Sequence, residues 1–155
     1  MSELLRNIMR NFPLGVAIVT TNWNGKYIGM TINTFNSLSL NPPLIMFSAD
    51  RIKGNDKPFR ESNGFVINFV DDEKLLDIFA FKDVKERFDG IEVQEGKTGS
   101  PIFPQSYAYL EAEKYQIHDV GDHSIIIGAV VDGKIFREDF SPLVYFRRAY
   151  WKLSK

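Results

Sequence analysis

The sequence predicts a mainly β fold, an antiparallel barrel with a few α-helices packed at its periphery. Two observations lead to this fold class. Short runs rich in β-branched and aromatic residues are separated by turn sequences such as Asn24-Gly25 and Asp132-Gly133, which favour hairpins. Helical patterns are few and do not alternate strictly with the strands, which disfavours a doubly wound parallel sheet.

Each predicted strand is a run in which residues of high β propensity dominate. In chain order the runs are VAIVTT (16–21), KYIGMTI (26–32), LIMFS (44–48), GFVINFV (64–70), AYLEAEKYQIHDV (108–120), SIIIGAVV (124–131), PLVYF (142–146) and YWKL (150–153). In GFVINFV, Phe65 and Ile67 alternate with Val66, so both faces of this strand are apolar. That pattern indicates a strand buried on both sides.

Three segments have helical character. The first has Ser2 as its expected N-cap and an apolar face formed by Leu4, Leu5, Ile8 and Met9. The second is a short helix within DRIKGNDKPFRES (50–62). The third begins at Asp71-Asp72, where acidic side chains favour a helix N-terminus, and is expected to continue to Gly90. A glycine-rich loop, EGKTGSP, then precedes the last strands.

The composition disfavours several classes of protein. The 155 residues have the size of one ordinary domain, and we expect a single domain over residues 1–155. A net charge of −1 gives no general attraction to nucleic acids or to anionic membranes. The absence of cysteine excludes disulfides and fits a cytoplasmic location. The most apolar run, SIIIGAVV, is far shorter than the roughly 20 residues of a membrane-spanning helix.

Common catalytic and metal-binding motifs are absent. The chain has no G-x-S-x-G, no G-x-G-x-x-G and no P-loop sequence. Its only histidines are His118 and His123, and no cluster of further ligands accompanies them, so no metal site is predicted. The aromatic run GFVINFV leaves open an OB-like barrel that binds single-stranded nucleic acid, but the near-neutral charge disfavours it.

The stretch GMTINTFNSLSLNPPLIMFS (29–48) is the most unusual part of the sequence. Its first half is crowded with hydroxyl and amide side chains, and the second half is an apolar strand. One interpretation is a turn that satisfies its own backbone groups. The other is the lining of a pocket for a flat ligand with a polar edge.

An ordered set of short motifs resembles the short-chain flavin reductase family. The motifs are FPLGV (12–16), VTT (19–21), GMT (29–31), NTF (33–35) with Ser37, Ser39 and Pro42-Pro43, FVIN (65–68), Phe79-Ala80, RFDG (87–90), GDH (121–123) with Gly128, and PLVY (142–145). The resemblance extends from about Phe12 to Leu153. Within the family it is closest to the small reductase components of two-component monooxygenases, such as that for 4-hydroxyphenylacetate.

The resemblance implies a homodimer of FMN-binding split β-barrels, with peripheral helices. It implies an NAD(P)H:flavin oxidoreductase that uses NADH or NADPH to reduce FMN, with FAD as the alternative. The reduced flavin then passes to a separate flavin-dependent monooxygenase. The alternative is a flavin carrier or store of the same fold, without reductase turnover. Neither hypothesis involves nucleic acid or a membrane.

The resemblance also assigns residues to the flavin. The ring and ribityl chain would contact Thr31, Asn33, Thr34, Ser37, Leu38 and Ser39, and the wall would continue with Ser48, Ala49 and Asp50. Lys53 and Asn55 would hold the ribityl phosphate, where charge-assisted hydrogen bonds are strongest, and Arg87 and Phe88 would assist from the helical region. Asp56 departs from the family pattern, in which a hydroxyl residue is common at this position of the phosphate segment. A carboxylate beside a phosphate is unfavourable.

The nicotinamide is expected to lie over the flavin ring. By resemblance, His123 is the candidate catalytic residue, which positions and polarises the nicotinamide without serving as an essential proton donor. Tyr145 and the loop from Pro13 to Gly15 would complete this side. Arg148 is assigned to a phosphate of the nicotinamide cofactor, with Arg147 as the alternative.

Overall fold

The computed structural model describes all residues from Met1 to Lys155 and confirms the mainly β fold. The helices are α1 (Ser2–Met9), α2 (Lys57–Glu61) and α3 (Glu73–Phe81), with one 3₁₀ turn at Val84–Glu86. The strands are β1 (Leu14–Gly15), β2 (Ala17–Trp23), β3 (Lys26–Ile32), β4 (Asn36–Leu40), β5 (Pro43–Asp50), β6 (Gly64–Phe69), β7 (Gln94–Glu95), β8 (Pro101–Ile102), β9 (Ala108–Val120), β10 (His123–Ile135), β11 (Leu143–Phe146) and β12 (Ala149–Lys152). None of the helices has the length and apolarity that a membrane-spanning segment requires.

One sheet of seven strands dominates the molecule. Its order is β3-β2-β6-β9-β10-β5-β4, and every pairing in it is antiparallel. A smaller sheet, β1-β11-β12, and a two-stranded pair, β7-β8, complete the β-structure. The sheet is open, with β3 and β4 as its terminal strands.

The large sheet curls around a core of phenylalanine rings. Strands β5 and β6 are separated by two other strands, which would set them about 14 Å apart in a flat sheet. The rings of Phe47 on β5 and Phe65 on β6 nevertheless lie edge to face, with centroids 5.0 Å apart. Phe59 of α2 contacts the same ring of Phe47 at 5.2 Å. Such contacts require strong curvature, which fits the predicted split barrel.

A second apolar cluster lies on the outer face of the sheet, beneath α3. Leu76 and Phe79 of this helix are completely buried against Ile18 of β2 and Phe103. Strand β6 therefore has apolar neighbours on both faces, and its residues from Gly64 to Asn68 are all buried, as the sequence predicts. The Asp72 carboxylate caps α3 by accepting hydrogen bonds from the backbone N–H groups of Lys74 and Leu75.

The structure corrects two predicted helix boundaries. Helix α1 begins at Ser2 itself, with Met1 at the N-cap position and no side-chain cap. Helix α3 ends at Phe81 instead of continuing to Gly90. The Asp83 side chain accepts a hydrogen bond from Lys85 N at 3.0 Å and starts a separate 3₁₀ turn. A short polar side chain that bonds its own backbone competes with the helix in this way.

The predicted turns had mixed outcomes. Asn24 and Gly25 have φ angles of 53° and 86° and form the expected two-residue hairpin turn between β2 and β3. Asp132-Gly133 does not turn, because β10 continues through it and remains paired with β9. Two irregularities in that pairing, at Ile127/Gly128 and Val130/Asp132, absorb the extra residues of this long hairpin. Residues 36–40, with the sequence NSLSL, were not predicted as a strand but form β4.

Candidate active site

A cavity of about 320 Å³ opens where β3 and β5 end and β10 begins. Nine residues assigned to the flavin or the nicotinamide line it together: Thr31, Asn33, Thr34, Ser48, Ala49, Asp50, Asn55, His123 and Tyr145. They come from four separate parts of the chain. Strand pairing explains part of this convergence, because β10 lies beside β5 with His123 opposite Asp50 and Ile125 opposite Ser48.

The remaining residues that line the cavity were not predicted from the sequence. Six further residues border the cavity: Val16, Met30, Ile32, Ala80, Phe81 and Tyr150. Five of them are apolar, so the cavity has apolar walls beside its hydroxyl and amide groups. The Phe79-Ala80 motif pointed to the end of α3, but nothing in the sequence showed that this helix end faces the cavity.

Two threonine hydroxyls of the cavity have internal partners. Thr34 Oγ1 donates to the Ser48 carbonyl and accepts from the Ser48 N–H, both at 3.1 Å. Thr31 Oγ1 donates to the carbonyl of Leu76 in α3 at 2.6 Å. These bonds tie the segment after β3 to β5 and fix β3 against α3. Both oxygens keep acceptor capacity that a ligand N–H or O–H group can use.

His123 lies at the rim of the cavity with its ring fixed by a neighbour. Its Nδ1 is 2.7 Å from Oδ1 of Asp122, and the side chain is 44% exposed. The hydrogen bond from His123 lowers the pKa of the Asp122 carboxyl. A carboxylate at Nδ1 favours the tautomer with its proton there, which leaves Nε2 as the ring nitrogen without a protein partner.

Tyr150 contributes a phenol that stays protonated. Burial, with additional effects from nearby acidic groups such as Asp77, raises the pKa of Tyr150 to about 12. Its ring lies 5.8 Å from that of Tyr145, the residue opposite it in the β11–β12 pair. The two aromatic rings therefore form one side of the cavity and offer hydroxyl groups as hydrogen-bond donors.

Lys53 and Asn55, the two residues assigned to the flavin phosphate, lie in the turn after β5 but in different surroundings. Asp50 Oδ1 accepts hydrogen bonds from the N–H groups of Ile52 and Lys53, at 2.7 and 3.1 Å, and so shapes this turn. Asn55 lines the cavity, whereas Lys53 is exposed beside it. Asp56 is buried, and Oδ2 lies 3.3 Å from both Arg60 Nε and Ser124 Oγ. This carboxylate is neutralised inside the protein and does not line the cavity.

Several assigned residues lie outside this cavity: Pro13, Gly15, Ser37, Leu38, Ser39, Lys53, Arg87, Phe88 and Arg148. Arg87 donates to the carbonyl of Gly29 at 2.8 Å, and burial lowers the pKa of its guanidinium. The ring of Phe88 packs against Phe79 of α3 with centroids 5.0 Å apart. In this structure both side chains support β3 and α3 from behind.

A second concavity, of about 540 Å³, adjoins the first. The two share Asn33, Thr34 and Tyr145 as lining residues. Arg148 borders this second space together with Arg6, Arg10 and Arg147. The site therefore continues from a partly apolar cavity into a strongly basic one.

A curled antiparallel sheet with such a cavity can hold a flat ring that is apolar at one end and polar at the other. Residues 9–154 match the family described as "Flavin reductase like domain". The chain belongs to this flavin reductase family.

Three relatives illustrate the similarity. The solved structure of the flavin reductase HpaC complexed with NADP+ has a TM-score of 0.97 and 62% sequence identity, covering 99% of this chain and 98% of that one. FMN reductase (NADH) SmoA of Agrobacterium fabrum is 30% identical over 99% of this chain and 87% of its own. The flavin-dependent monooxygenase reductase subunit HsaB of Mycobacterium tuberculosis is 30% identical over 94% and 79%.

Proposed function

We propose that this protein is an NAD(P)H:flavin oxidoreductase that reduces FMN, or alternatively FAD, for a separate monooxygenase. The observation that carries the proposal is the cavity, in which residues from β3, β5 and β10 combine polar groups with apolar walls. Membership of the flavin reductase family supports it. So do relatives named as an FMN reductase that uses NADH and as the reductase subunit of a monooxygenase.

The cavity residues fit an isoalloxazine ring by their chemistry. Val16, Met30 and Ile32 provide apolar surface for the benzenoid end, and Asn33 with Thr34 provides donors and acceptors for the polar edge. A flavin held by these residues would supply the chemistry, because its ring can accept a hydride from a nicotinamide. The protein's own contribution is to bind both rings, exclude water between them and keep them in register.

His123 acts as a positioning group for the nicotinamide in this proposal. Its ring is oriented by Asp122, so that Nε2 is available as an acceptor for the amide of a nicotinamide. Tyr145 and Tyr150 form the neighbouring wall. No side chain needs to transfer a proton for the hydride step itself.

We extend the proposal to the assembly and its surroundings. We expect one flavin reductase-like domain over residues 1–155 that forms a homodimer, as the family resemblance implies. Reduced flavin would pass to a flavin-dependent monooxygenase component, the kind of partner that the name of HsaB indicates for that relative. A cytoplasmic location is expected because the cellular pool of NAD(P)H is there.

The test is an anaerobic reduction assay. The purified protein is mixed with FMN, NADH or NADPH is added, and the absorbance of oxidised flavin is followed. We expect bleaching much faster than in the same mixture without protein. Binding of flavin without bleaching by either nucleotide would overturn the reductase proposal and favour a carrier or store. Failure to bind FMN or FAD at all would overturn the assignment of the cavity.

A further inference from the structure

Four arginines form a basic concavity next to the candidate flavin cavity. We call it the arginine pocket. Its basic residues are Arg6 of α1, Arg10 at the C-terminal cap of that helix, and Arg147 and Arg148 between β11 and β12. No carboxylate lines it, and none of the four takes part in an ion pair. The whole chain has a net charge of −1, so this concentration of positive charge is local.

The hairpin turn that carries Arg147 and Arg148 is unfavourable for these residues. Both have positive φ angles, 50° and 63°, in a two-residue turn between Phe146 and Ala149. Such turns strongly prefer Asn-Gly and similar pairs, because a side chain with a Cβ atom is strained in this region. Strained backbone of this kind is often kept at functional sites. The arginines at this turn are therefore explained better by what they bind than by turn formation.

Arg147 is held against the residues that follow α1 by specific contacts. Arg147 Nε donates to Oδ1 of Asn11 at 3.1 Å, and its backbone N–H donates to the Arg10 carbonyl at 3.3 Å. The guanidinium of Arg147 also lies over the ring of Phe146, 5.0 Å from its centroid. In contrast, the guanidinium groups of Arg6 and Arg148 have no hydrogen-bond partner in the protein, and that of Arg10 makes a single long hydrogen bond, to Oδ1 of Asn7 at 3.5 Å. The pocket thus combines one anchored arginine with donors that remain free for an anion.

The rest of the lining suits a nucleoside. Phe12, 57% exposed, and Met9 provide apolar and aromatic surface of the kind on which an adenine ring packs. Asn33, Thr34 and Tyr145 belong to both spaces, so a ligand can extend from the candidate nicotinamide site into the arginine pocket. A dinucleotide has this form, with a nicotinamide at one end and a phosphorylated adenosine at the other.

We propose that the arginine pocket binds the 2′-phosphoadenosine end of NADPH and gives the protein a preference for NADPH over NADH. This inference rests on the proposed reductase function. Arg148 and Arg10 are the specificity-determining residues, because a guanidinium can donate two parallel hydrogen bonds to a phosphate. NADH lacks the 2′-phosphate and would leave part of this positive charge unpaired.

Binding of adenosine 2′,5′-bisphosphate is compared with binding of 5′-AMP by calorimetry, at saturating FMN. The two probes differ only in the 2′-phosphate and contain no nicotinamide, so flavin reduction is not needed. We expect the bisphosphate to bind at least about tenfold more tightly, the effect of one charge-assisted hydrogen bond. Arg148→Gln and Arg10→Gln should each remove about that factor and leave 5′-AMP binding nearly unchanged, whereas Arg148→Lys should retain part of it.

Lys134→Gln is the matched control, since it removes an exposed positive charge on β10 outside the pocket. Equal affinity of the parent protein for the two probes would overturn the inference. Arginine variants that behave like the Lys134→Gln control would also overturn it. Competition between FMN and the bisphosphate would overturn it as well, because it would assign the pocket to the flavin phosphate. Near-identical circular dichroism of all variants excludes misfolding as the cause.

Kinetics separate this inference from the proposed function. With an active reductase, kcat/KM for NADPH over NADH should fall about tenfold in Arg148→Gln. Flavin reduction that is equally efficient with both nucleotides would keep the proposed function and refute the arginine pocket as a 2′-phosphate site. Tight binding of the bisphosphate without any flavin reduction would support the arginine pocket as a 2′-phosphate site and refute the proposed reductase function.

Discussion

Glu111 is a completely buried carboxylate, and its replacement by glutamine should destabilise the protein strongly. The residue lies on β9, and its side chain holds the glycine-rich loop before β8. Oε1 accepts a hydrogen bond from Lys97 N at 3.0 Å. Oε2 accepts from Thr98 N at 2.8 Å and from Thr98 Oγ1 at 2.7 Å. A Cβ atom at Gly96 would lie 2.4 Å from Oε2, so the loop fits closely around the carboxylate.

The magnitude follows from the number of acceptors that remain. Glutamine has the same shape, but its NH₂ group cannot accept a hydrogen bond. In its less costly orientation, the glutamine amide keeps its oxygen towards Thr98 and turns its NH₂ group towards the backbone N–H of Lys97. That N–H group then has no acceptor, which costs about 1–3 kcal/mol. The two bonds to Thr98 change from charge-assisted to neutral and weaken by about 1 kcal/mol in total. The free energy of unfolding should therefore fall by about 2–4 kcal/mol.

Thermal unfolding at pH 7 measures this loss. For a domain of this size, each kcal/mol corresponds to roughly 2–4 °C, so Tm should fall by about 4–16 °C. Glu113→Gln is the control, because it makes the same change two residues along β9 at an exposed position. A Glu111→Gln protein that unfolds at the same temperature as the control would refute the reasoning.

Three further changes test the site and the electrostatics. His123→Ala should raise KM for the nicotinamide nucleotide and leave the flavin Kd unchanged; loss of flavin binding would assign His123 to the other ligand. Lys53→Ala should weaken flavin binding more than it lowers kcat at saturating flavin, and an unchanged flavin Kd would contradict the phosphate assignment. Hydrogen bonding to Arg137 lowers the pKa of Asp71, so this pair stabilises the fold above about pH 4 and loses its effect as the pH falls through that lowered pKa. Urea unfolding of Asp71→Asn should show a deficit at pH 7 that shrinks below pH 4, and a deficit equal at both values would contradict this.

The local patterns of the sequence were sufficient for most of the strands. The Asn24-Gly25 hairpin and the two-sided burial of β6 both follow from short-range rules. The continuation of β10 through Asp132-Gly133 does not, because its pairing with β9 outweighs the local turn preference. Strand β4 was not predicted for a similar reason. Its asparagine and serine residues are typical of a loop, and pairing with β5 makes the segment a strand.

The site was predictable where it depends on one stretch of chain and not where it depends on packing. Thr31, Asn33 and Thr34 line the cavity as the resemblance implied. Phe81 and Tyr150 could not be found, because their place depends on how α3 and the β11–β12 hairpin pack against the sheet. The sequence carries no local signal for such long-range contacts.

The open edges of the seven-stranded sheet have a consequence for solution behaviour. Strands β3 and β4 each have a neighbouring strand on one side only, and the segment that joins them lines the cavity. Unpaired backbone groups at a sheet edge can recruit a strand from another molecule and so begin aggregation. These two edges are therefore the places in the sheet where self-association of concentrated protein would begin.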